Sequence, residues 1–477
     1  MDMTPDPRAP DIVTRLESDL LGEMNLSQDC LYGIQTARAV ENFPITGVLL
    51  NQFPEFVQAL AMVKKAAALA NRELAAVKPE QAEAIVQACD EIIAGKHHEH
   101  FVVDMIQGGA GTSTNMNANE VVANVGLGKM GRVRGDYAHL HPNDHVNRSQ
   151  STNDVYPTAI RLAILMQYEE LIAALQRLSL AFSGKAAAFS GIAKVGRTQL
   201  QDAVPMTLGM EFASFAAAVE EDMKHLRQTA ELLKPVNLGG TAIGTGIAAP
   251  AGYCERAIAH LSAISGYELS RARDLIEASS DLGAVVSFSS ALKRVSIKLS
   301  KICNDLRLLS SGPRAGLGEI SLPAVQPGSS IMPGKVNPVI PEVVSQVAYQ
   351  VMGNDLTVTM AAEAAQLQLN AMEPVVAFNV LNSIRILTRA VTVLCDRCVV
   401  GIQANASRCE EQLRGSLVLA TALVPHIGYD KAVQVAKTAQ DTGATVLETL
   451  KQLDILSEEV FHEILVAEGV LDSAHRA

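Results

Sequence analysis

The stretch 157–189, PTAIRLAILMQYEELIAALQRLSLAFSGKAAAF, decides the fold. Ile160, Leu162, Ile164, Leu165, Leu171, Leu175 and Leu178 fall on overlapping faces of one helix. Four more stretches share the pattern, at 206–233, 282–309, 341–369 and 375–404. Each runs about 28 residues or more, against a mean near 11 or 12 for globular helices. Helices this long, apolar on more than one face, form bundles whose faces are shared, often between subunits. Hydrophobic residues make up 48% of the chain, yet aromatics are only 4% and Trp is absent. A core of Ala, Leu, Val and Ile lets helices approach closely. No βαβ alternation and no solenoid repeat is evident. The expected fold is all-α in three domains: mainly helical over 1–150, a central long-helix bundle over 151–405, and a small helical C-terminal domain over 406–477. Ahead of the bundle, 55–93 carries apolar residues at helical spacing, with Pro79 opening a second helix. The texture of 108–153, rich in Gly, Asn, Ser and His, predicts loops and short helices.

Charge narrows the partners. Thirty-nine basic against 51 acidic residues leave a net charge of −12. That disfavours nucleic acid and anionic membranes. It also means that an anion pocket must concentrate its few cations and N–H donors locally. The N-terminal stretch is polar and acidic (Asp2, Asp6, Asp11) with no secretory signal, and no run of about 18 apolar residues marks a membrane span. Seven scattered cysteines fit free thiols in a reducing cytoplasm.

The loop 328–337, GSSIMPGKVN, packs two hydroxyls, one ammonium and one carboxamide into a segment with no apolar period. Gly328 and Gly334 are expected to take left-handed turns that bring backbone N–H groups near an anion, and Pro333 stiffens the middle. An ordinary surface turn favours the same residue types, but the length and order of this string argue against one.

This string resembles the signature loop of the aspartase/fumarase superfamily. Two more regions carry the resemblance in the same order. GGAGTSTNMN (108–117) is similar to the first conserved region. SQSTND (149–154) with Pro157 and Thr158, together with GRTQLQD (196–202), is similar to the second. The similarity runs from about Leu20 to about Gly469, and it is strongest to the members that deaminate aspartate. It implies a lyase that converts L-aspartate to fumarate and ammonia without an organic cofactor. It also implies a homotetramer whose core bundle comes from all four chains and whose active sites each draw on three subunits.

That chemistry removes a weakly acidic Cβ proton and makes a dianionic enediolate at the neighbouring carboxylate. It needs a base at Cβ and preorganised donors around the carboxylate. Ser329 is the candidate base, since N–H groups of its loop and nearby Lys335 would stabilise an alkoxide; the resemblance implies the same role. It further implies that Thr112, Ser151, Thr152 and Ser330 bind the β-carboxylate, that Asn153 lies near the amino group, and that Thr198, Lys335 and Asn337 hold the α-carboxylate.

Gln199 departs from the pattern. Many members carry His there, paired with a glutamate that corresponds to Glu342. Gln cannot titrate near neutral pH, so a His–Glu relay is missing at this position, although Gln still donates to a carboxylate or accepts from an ammonium. A divalent ion activates some members of the superfamily, but no carboxylate cluster here identifies a metal site. His97, His98 and His100 predict a solvated loop. His141 and His145, in a stretch similar to a secondary anion site of fumarases, are at least as consistent with packing. Cys395 and Cys398 lack the partners zinc requires, and the Gly-rich run 239–246 reads as a tight connection without a nucleotide. The rival readings are a class II fumarase, a substituted-aspartate lyase and a catalytically silent scaffold. Gln199, and QLQLN (366–370) before Met372, Glu373 and Pro374, point away from the first. The intact set Ser329, Lys335, Asn337, Thr112 and Asn153 points away from the last.

Overall fold

The structure, a computed structural model, describes residues 13–467, so Asp2, Asp6 and Asp11 lie outside it. The chain starts with a hairpin of β1 (Thr14–Asp19) and β2 (Gly22–Ser27), in register from Thr14 opposite Ser27 to Asp19 opposite Gly22. Then come α1 (Ile34–Asn42), α2 (Pro54–Glu73) and α3 (Pro79–Ile93), with α2 and α3 packed on each other. Pro79 is the first residue of α3, where its missing N–H costs no helical bond.

The texture of 108–153 was misleading. It contains a full 18-residue helix, α4 (Thr112–Lys129), buried on nearly every side. The apolar period fails there because asparagines fill interior positions and bond neighbouring backbone. Asn117 accepts from the Val102 N–H at 2.9 Å and donates to the His100 carbonyl at 2.9 Å. Asn124 accepts from the Gly135 N–H and donates to the Leu31 carbonyl, both at 2.8 Å.

The five long helices are present. They are α5 (Thr152–Ala188), α6 (Leu208–Glu231), α8 (Gly283–Leu309), α9 (Val339–Glu363) and α10 (Glu373–Arg397). Between α5 and α6 lies the hairpin of β3 (Ala193–Thr198) and β4 (Gln201–Thr207). Between α6 and α8 lies α7 (Tyr253–Ser265), flanked by β5 (Pro235–Val236) and β6 (Ser270–Arg271). A short pair, β7 (Ile320–Ser321) with β8 (Gln403–Ala404), follows α8 and α10. The strands recognised among the described residues form only two-stranded sheets, so the all-α reading holds.

Three helix boundaries differ most from the apolar pattern, one of them the end of α10 at Arg397, where a separate turn over Val399–Gly401 takes over before 404. Helix α5 begins at Thr152, five residues before Pro157. Proline inside a helix leaves the carbonyl four residues back without a donor. Here that carbonyl belongs to Asn153, and Asn237 Nδ2 donates to it at 2.9 Å. Helix α9 stops at Glu363 because 364–370 forms a tight turn, with Leu367 at φ 54°. Asn370 Nδ2 bonds the Ala361 carbonyl of the last turn at 3.0 Å.

By internal contacts the chain divides into two compact units: residues 1–170, 226–293 and 351–385, and residues 171–225, 294–350 and 386–477. The first has its core in α2, α3 and α4 and the first turns of α5, with Phe53, Phe56, Leu60, Val121 and Tyr156 almost fully buried. In the second, α11 (Ala406–Gly415), α12 (Val418–Ala422), α13 (Val424–Ile427), α14 (Tyr429–Thr442), α15 (Val446–Gln452) and α16 (Glu458–Ala467) enclose a cluster with Leu413, Leu423, Val435, Leu450 and Phe461, against which Val195 of β3 packs. All seven cysteines are free. The stretch Glu373–Gly401 has the length and apolar composition of a membrane span, but 56% of its most apolar window is buried inside the protein, as in a core helix.

Candidate active site

Of the residues singled out from sequence, Thr112, Ser151, Thr152 and Asn153 belong to the first unit. The first turn of α5 presents three of them. Ser151 caps that helix: its Oγ accepts from the Asn153 N–H at 3.2 Å, and its own N–H donates to Asp154 Oδ1 at 2.9 Å. Asp154 is fully buried, and its other oxygen accepts from the N–H groups of Gly239 and Thr241 at 2.9 and 3.0 Å. The Gly-rich run 239–246 is thus the tight connection expected, and its backbone wraps this carboxylate. Burial pushes the Asp154 carboxyl up to about 6, against the pull of its backbone N–H donors.

Thr112 opens α4 and is exposed, with Oγ bonded to the Gly109 carbonyl at 2.7 Å. A Cβ on Gly111 would lie 2.4 Å from the Tyr156 ring, so only glycine lets the start of α4 close onto α5. One turn on, Asn115 Nδ2 donates to Thr152 Oγ1 at 3.1 Å. Asn115 is itself held by Lys64, a fully buried amine on α2. Lys64 Nζ donates to Asn115 Oδ1 at 2.6 Å, Gln150 Oε1 at 2.9 Å and Asn147 Oδ1 at 3.0 Å. Burial pulls this amine down to about 7, while Asp154 pushes it back up. Neither Lys64 nor Asp154 was identified from the sequence as part of the site. One signal was legible: Lys64 lies four residues after Leu60 on the buried stripe of α2, where a lysine needs a reason.

Thr198, Gln199, Ser329, Ser330, Lys335 and Asn337 belong to the second unit. Thr198 pairs with Gln201 across a two-residue turn, in which Gln199 and Leu200 have φ of 53° and 63°. Such turns favour Asn-Gly, because both central residues take the left-handed conformation. Here a glutamine and an exposed leucine take it, and Thr198 and Gln199 are exposed at the tip.

The loop 328–337 closes at its base. The Gly328 N–H donates to the Lys335 carbonyl at 2.8 Å, and Asn337 Nδ2 donates to the Gly328 carbonyl at 2.6 Å. Gly334 takes the left-handed turn expected of it, with φ 78°. Gly328 does not. Its glycine is needed for close approach, since a Cβ there would sit 2.4 Å from the Lys335 carbonyl oxygen. Within the loop, Ser329 Oγ accepts from the N–H groups of Ile331 and Met332 at 3.1 and 3.0 Å. Two dipoles therefore point their positive ends at this oxygen. Ser330 and Lys335 are exposed.

The histidine groups have other work. His97 Nε2 lies 2.9 Å from Glu91 Oε2, His98 Nε2 lies 2.8 Å from the Ile92 carbonyl, and the Leu31 N–H reaches His100 Nδ1 at 3.4 Å. The expected solvated loop is a short helical turn with half-buried rings. His141 Nδ1 caps the turn Pro142–Val146, and His145 Nδ1 accepts from the His141 N–H at 2.8 Å.

Residues 22–353 match the family model described as lyase, and residues 419–471 match the one described as fumarase C C-terminus. The chain belongs to the aspartase/fumarase superfamily. Relatives in it include the aspartate ammonia-lyase of Pseudomonas aeruginosa, 57% identical over 97% of this chain and 98% of that one. That of Escherichia coli strain K12 is 51% identical over 97% of each. Among solved structures of the superfamily, a Brucella melitensis fumarate lyase:delta crystallin bound to cobalt is 58% identical, with a TM-score of 0.94 over 96% of this chain and 99% of that one. A class II fumarase from Schistosoma mansoni is 34% identical, with a TM-score of 0.90 over 97% of this chain and 100% of that one. The superfamily membership read from the three motifs is thereby borne out.

Proposed function

We propose that this chain is a carbon–nitrogen lyase that reversibly deaminates L-aspartate to fumarate and ammonia. Ser329 takes the Cβ proton. The developing enediolate is held by Thr112, Ser151, Thr152 and Ser330. Asn153 faces the amino group, and Thr198, Lys335 and Asn337 hold the α-carboxylate. Gln199, at the strained tip beside Thr198, orients substrate without titrating.

The observation that carries this reading is the pair of N–H groups aimed at Ser329 Oγ. A serine hydroxyl is a poor base, and preorganised dipoles lower the cost of its alkoxide. A second support is the start of α5, where Lys64 and Asn115 fix Thr152 from behind. No organic cofactor takes part, and any divalent ion would act as an activator at a site still to be assigned.

The enzyme works as a cytoplasmic homotetramer whose active sites each draw on three subunits. Thr112, Thr198, Ser330 and Lys335 all reach solvent in the single chain, as expected of groups awaiting substrate and neighbouring subunits. Helix α9 carries Tyr349, Leu356 and Met360 at helical spacing, 58–65% exposed. An apolar stripe of this kind is a surface for another chain.

Fumarate formation followed by ultraviolet absorbance, from L-aspartate and separately from L-malate, tests the function. Turnover of L-aspartate is the expected result. Turnover of L-malate alone would make the protein a fumarase, and binding of dicarboxylates with no turnover would make it a scaffold.

A further inference from the structure

The hairpin of β3 and β4 contains an irregularity that the reaction alone does not explain. Its register runs from Ala193 opposite Thr207 to Val195 opposite Pro205, then shifts to Arg197 opposite Asp202 and Thr198 opposite Gln201. Ala203 and Val204 of β4 thus share the space facing Gly196. A Cβ on Gly196 would lie 2.7 Å from the Val204 carbonyl oxygen, so glycine is required for the bulge to fit.

Two cationic side chains of β3 flank the irregularity. In a regular strand, residues three apart point to opposite faces. Lys194 and Arg197 nevertheless reach the same carboxylate, that of Glu319. Lys194 Nζ lies 2.8 Å from Glu319 Oε2, and Arg197 Nη1 lies 2.5 Å from Glu319 Oε1. The extra residue lies in β4, and the two long side chains of β3 converge on this one acid beside it.

Glu319 is fully buried and anchored through its backbone at both ends. Its N–H bonds the Leu309 carbonyl at the end of α8, and its carbonyl accepts from the Asn405 N–H, both at 2.9 Å. Lys194 also pairs with Glu211, so two cations meet two carboxylates. Arg197 Nη2 donates to Gln412 Oε1 at 3.0 Å, and Gln412 Nε2 donates to the Leu317 carbonyl at 2.6 Å. A buried ion cluster adds little stability over apolar packing of the same shape, but it tolerates only one geometry. The residue that follows Arg197 is Thr198, and the exposed tip beyond it is held in left-handed backbone.

We propose that Glu319, through Arg197 and Lys194, is a positioning residue that fixes the hairpin tip for binding the α-carboxylate of the substrate. This rests on the assignment of Thr198 to that carboxylate. None of the three charged groups is a catalytic residue. Their effect is on substrate binding.

The test uses the full-length assembled enzyme and measures kcat and KM for L-aspartate in wild type, Glu319→Gln, Arg197→Gln and Arg197→Lys. Circular dichroism melts and light scattering monitor fold and assembly. Arg197→Gln and Glu319→Gln should raise KM about tenfold or more, the scale of one lost charge-assisted hydrogen bond. Their kcat should stay within about threefold, the pattern of a lost uniform binding interaction. Arg197→Lys retains the charge opposite Glu319 and should recover most of the binding. Should Glu319→Gln fail to fold, the two Arg197 variants decide, because Arg197 is partly exposed. An unchanged KM in a folded Arg197→Gln enzyme overturns the proposal. So does an equal loss in Arg197→Gln and Arg197→Lys that follows the unfolded fraction. If wild type releases no fumarate from L-aspartate, the proposed function fails instead. Calorimetric binding of fumarate to the same variants then still reads the hairpin.

Discussion

Lys64 Nζ donates to Asn115 Oδ1 at 2.6 Å, with both side chains almost wholly buried beside the first turn of α5. Three amide oxygens surround this amine, which suits an ammonium with three hydrogens to give. Replacing it in Lys64→Met leaves the Asn115 and Gln150 oxygens unpaired, while Asn147 Oδ1 keeps the Asn115 Nδ2 donor at 3.2 Å. The expected cost is about 3 kcal/mol or more of stability, read by urea unfolding. Thr152 also loses the support of Asn115, and kcat/KM should fall on the order of a hundredfold.

The same amine sets a pH dependence with opposite signs for stability and activity. Burial lowers Lys64 from 10.5 to about 7. Below about 7 the amine is charged in both folded and unfolded chains. Between about 7 and 10.5 the unfolded chain binds more protons, so the native state gains stability as pH rises. Wild type should therefore gain stability relative to Lys64→Met across that window. Its kcat/KM should fall over the same window as one amide oxygen loses its donor. A stability difference from Lys64→Met that stays flat across the window would show that Lys64 stays charged throughout, and a flat rate beside a rising stability would show that the lost donor does not bear on turnover.

Ser329→Ala removes the oxygen at which the Ile331 and Met332 N–H groups point. The base of the loop is held by other groups, Gly328 with Lys335 and Asn337 with Gly328. Turnover should fall about 10²- to 10⁴-fold, the scale of a lost general base, while light scattering shows an unchanged assembly. A variant that keeps more than a few per cent of the wild-type rate (roughly the floor set by loss of such a base) removes Ser329 from this role.

The long helices were legible because apolar residues repeat at helical spacing over many turns, and the loop 328–337 because its polar groups crowd into one short string. Helix α4 was hidden because Asn115, Asn117 and Asn124 occupy positions where apolar residues would have shown the period. The start of α5 was hidden by Pro157, whose effect is repaired by Asn237, 84 residues from Asn153. The Lys64 network was illegible for the same reason. Its acceptors at 115, 147 and 150 are brought together only by tertiary packing. Local pattern carries helix type and motif, whereas a buried polar partner chosen across the fold leaves only an oddly placed residue.

Gln199→His tests the missing titratable group. Gln199 holds φ of 53°, and histidine accepts the left-handed region more readily than most residues. The melting temperature should stay within a few degrees of wild type, the scale of a surface change. The rate profile should gain an inflection near the ordinary histidine value of about 6.5. A profile that overlays wild type across pH 5–8 would place position 199 away from the reacting amine.

Gly328→Ala and Gly334→Ala separate two reasons for a glycine in one loop. At Gly328 a Cβ would lie 2.4 Å from the Lys335 carbonyl oxygen and 2.8 Å from the Asn337 N. Both neighbours are backbone, so no side chain can swing aside, and the base of the loop must open. Lys335 and Asn337 then shift together, and a displacement near 1 Å is enough for about a hundredfold loss of rate. At Gly334 a Cβ meets nothing within 4 Å, and the only obstacle is φ of 78°. That costs about 1–2 kcal/mol of local strain in an exposed segment and leaves the base closed. Gly328→Ala should therefore lose far more turnover than Gly334→Ala, with both melting close to wild type. The reverse order would mean that the loop depends on its turn and not on the contact between Gly328 and Lys335.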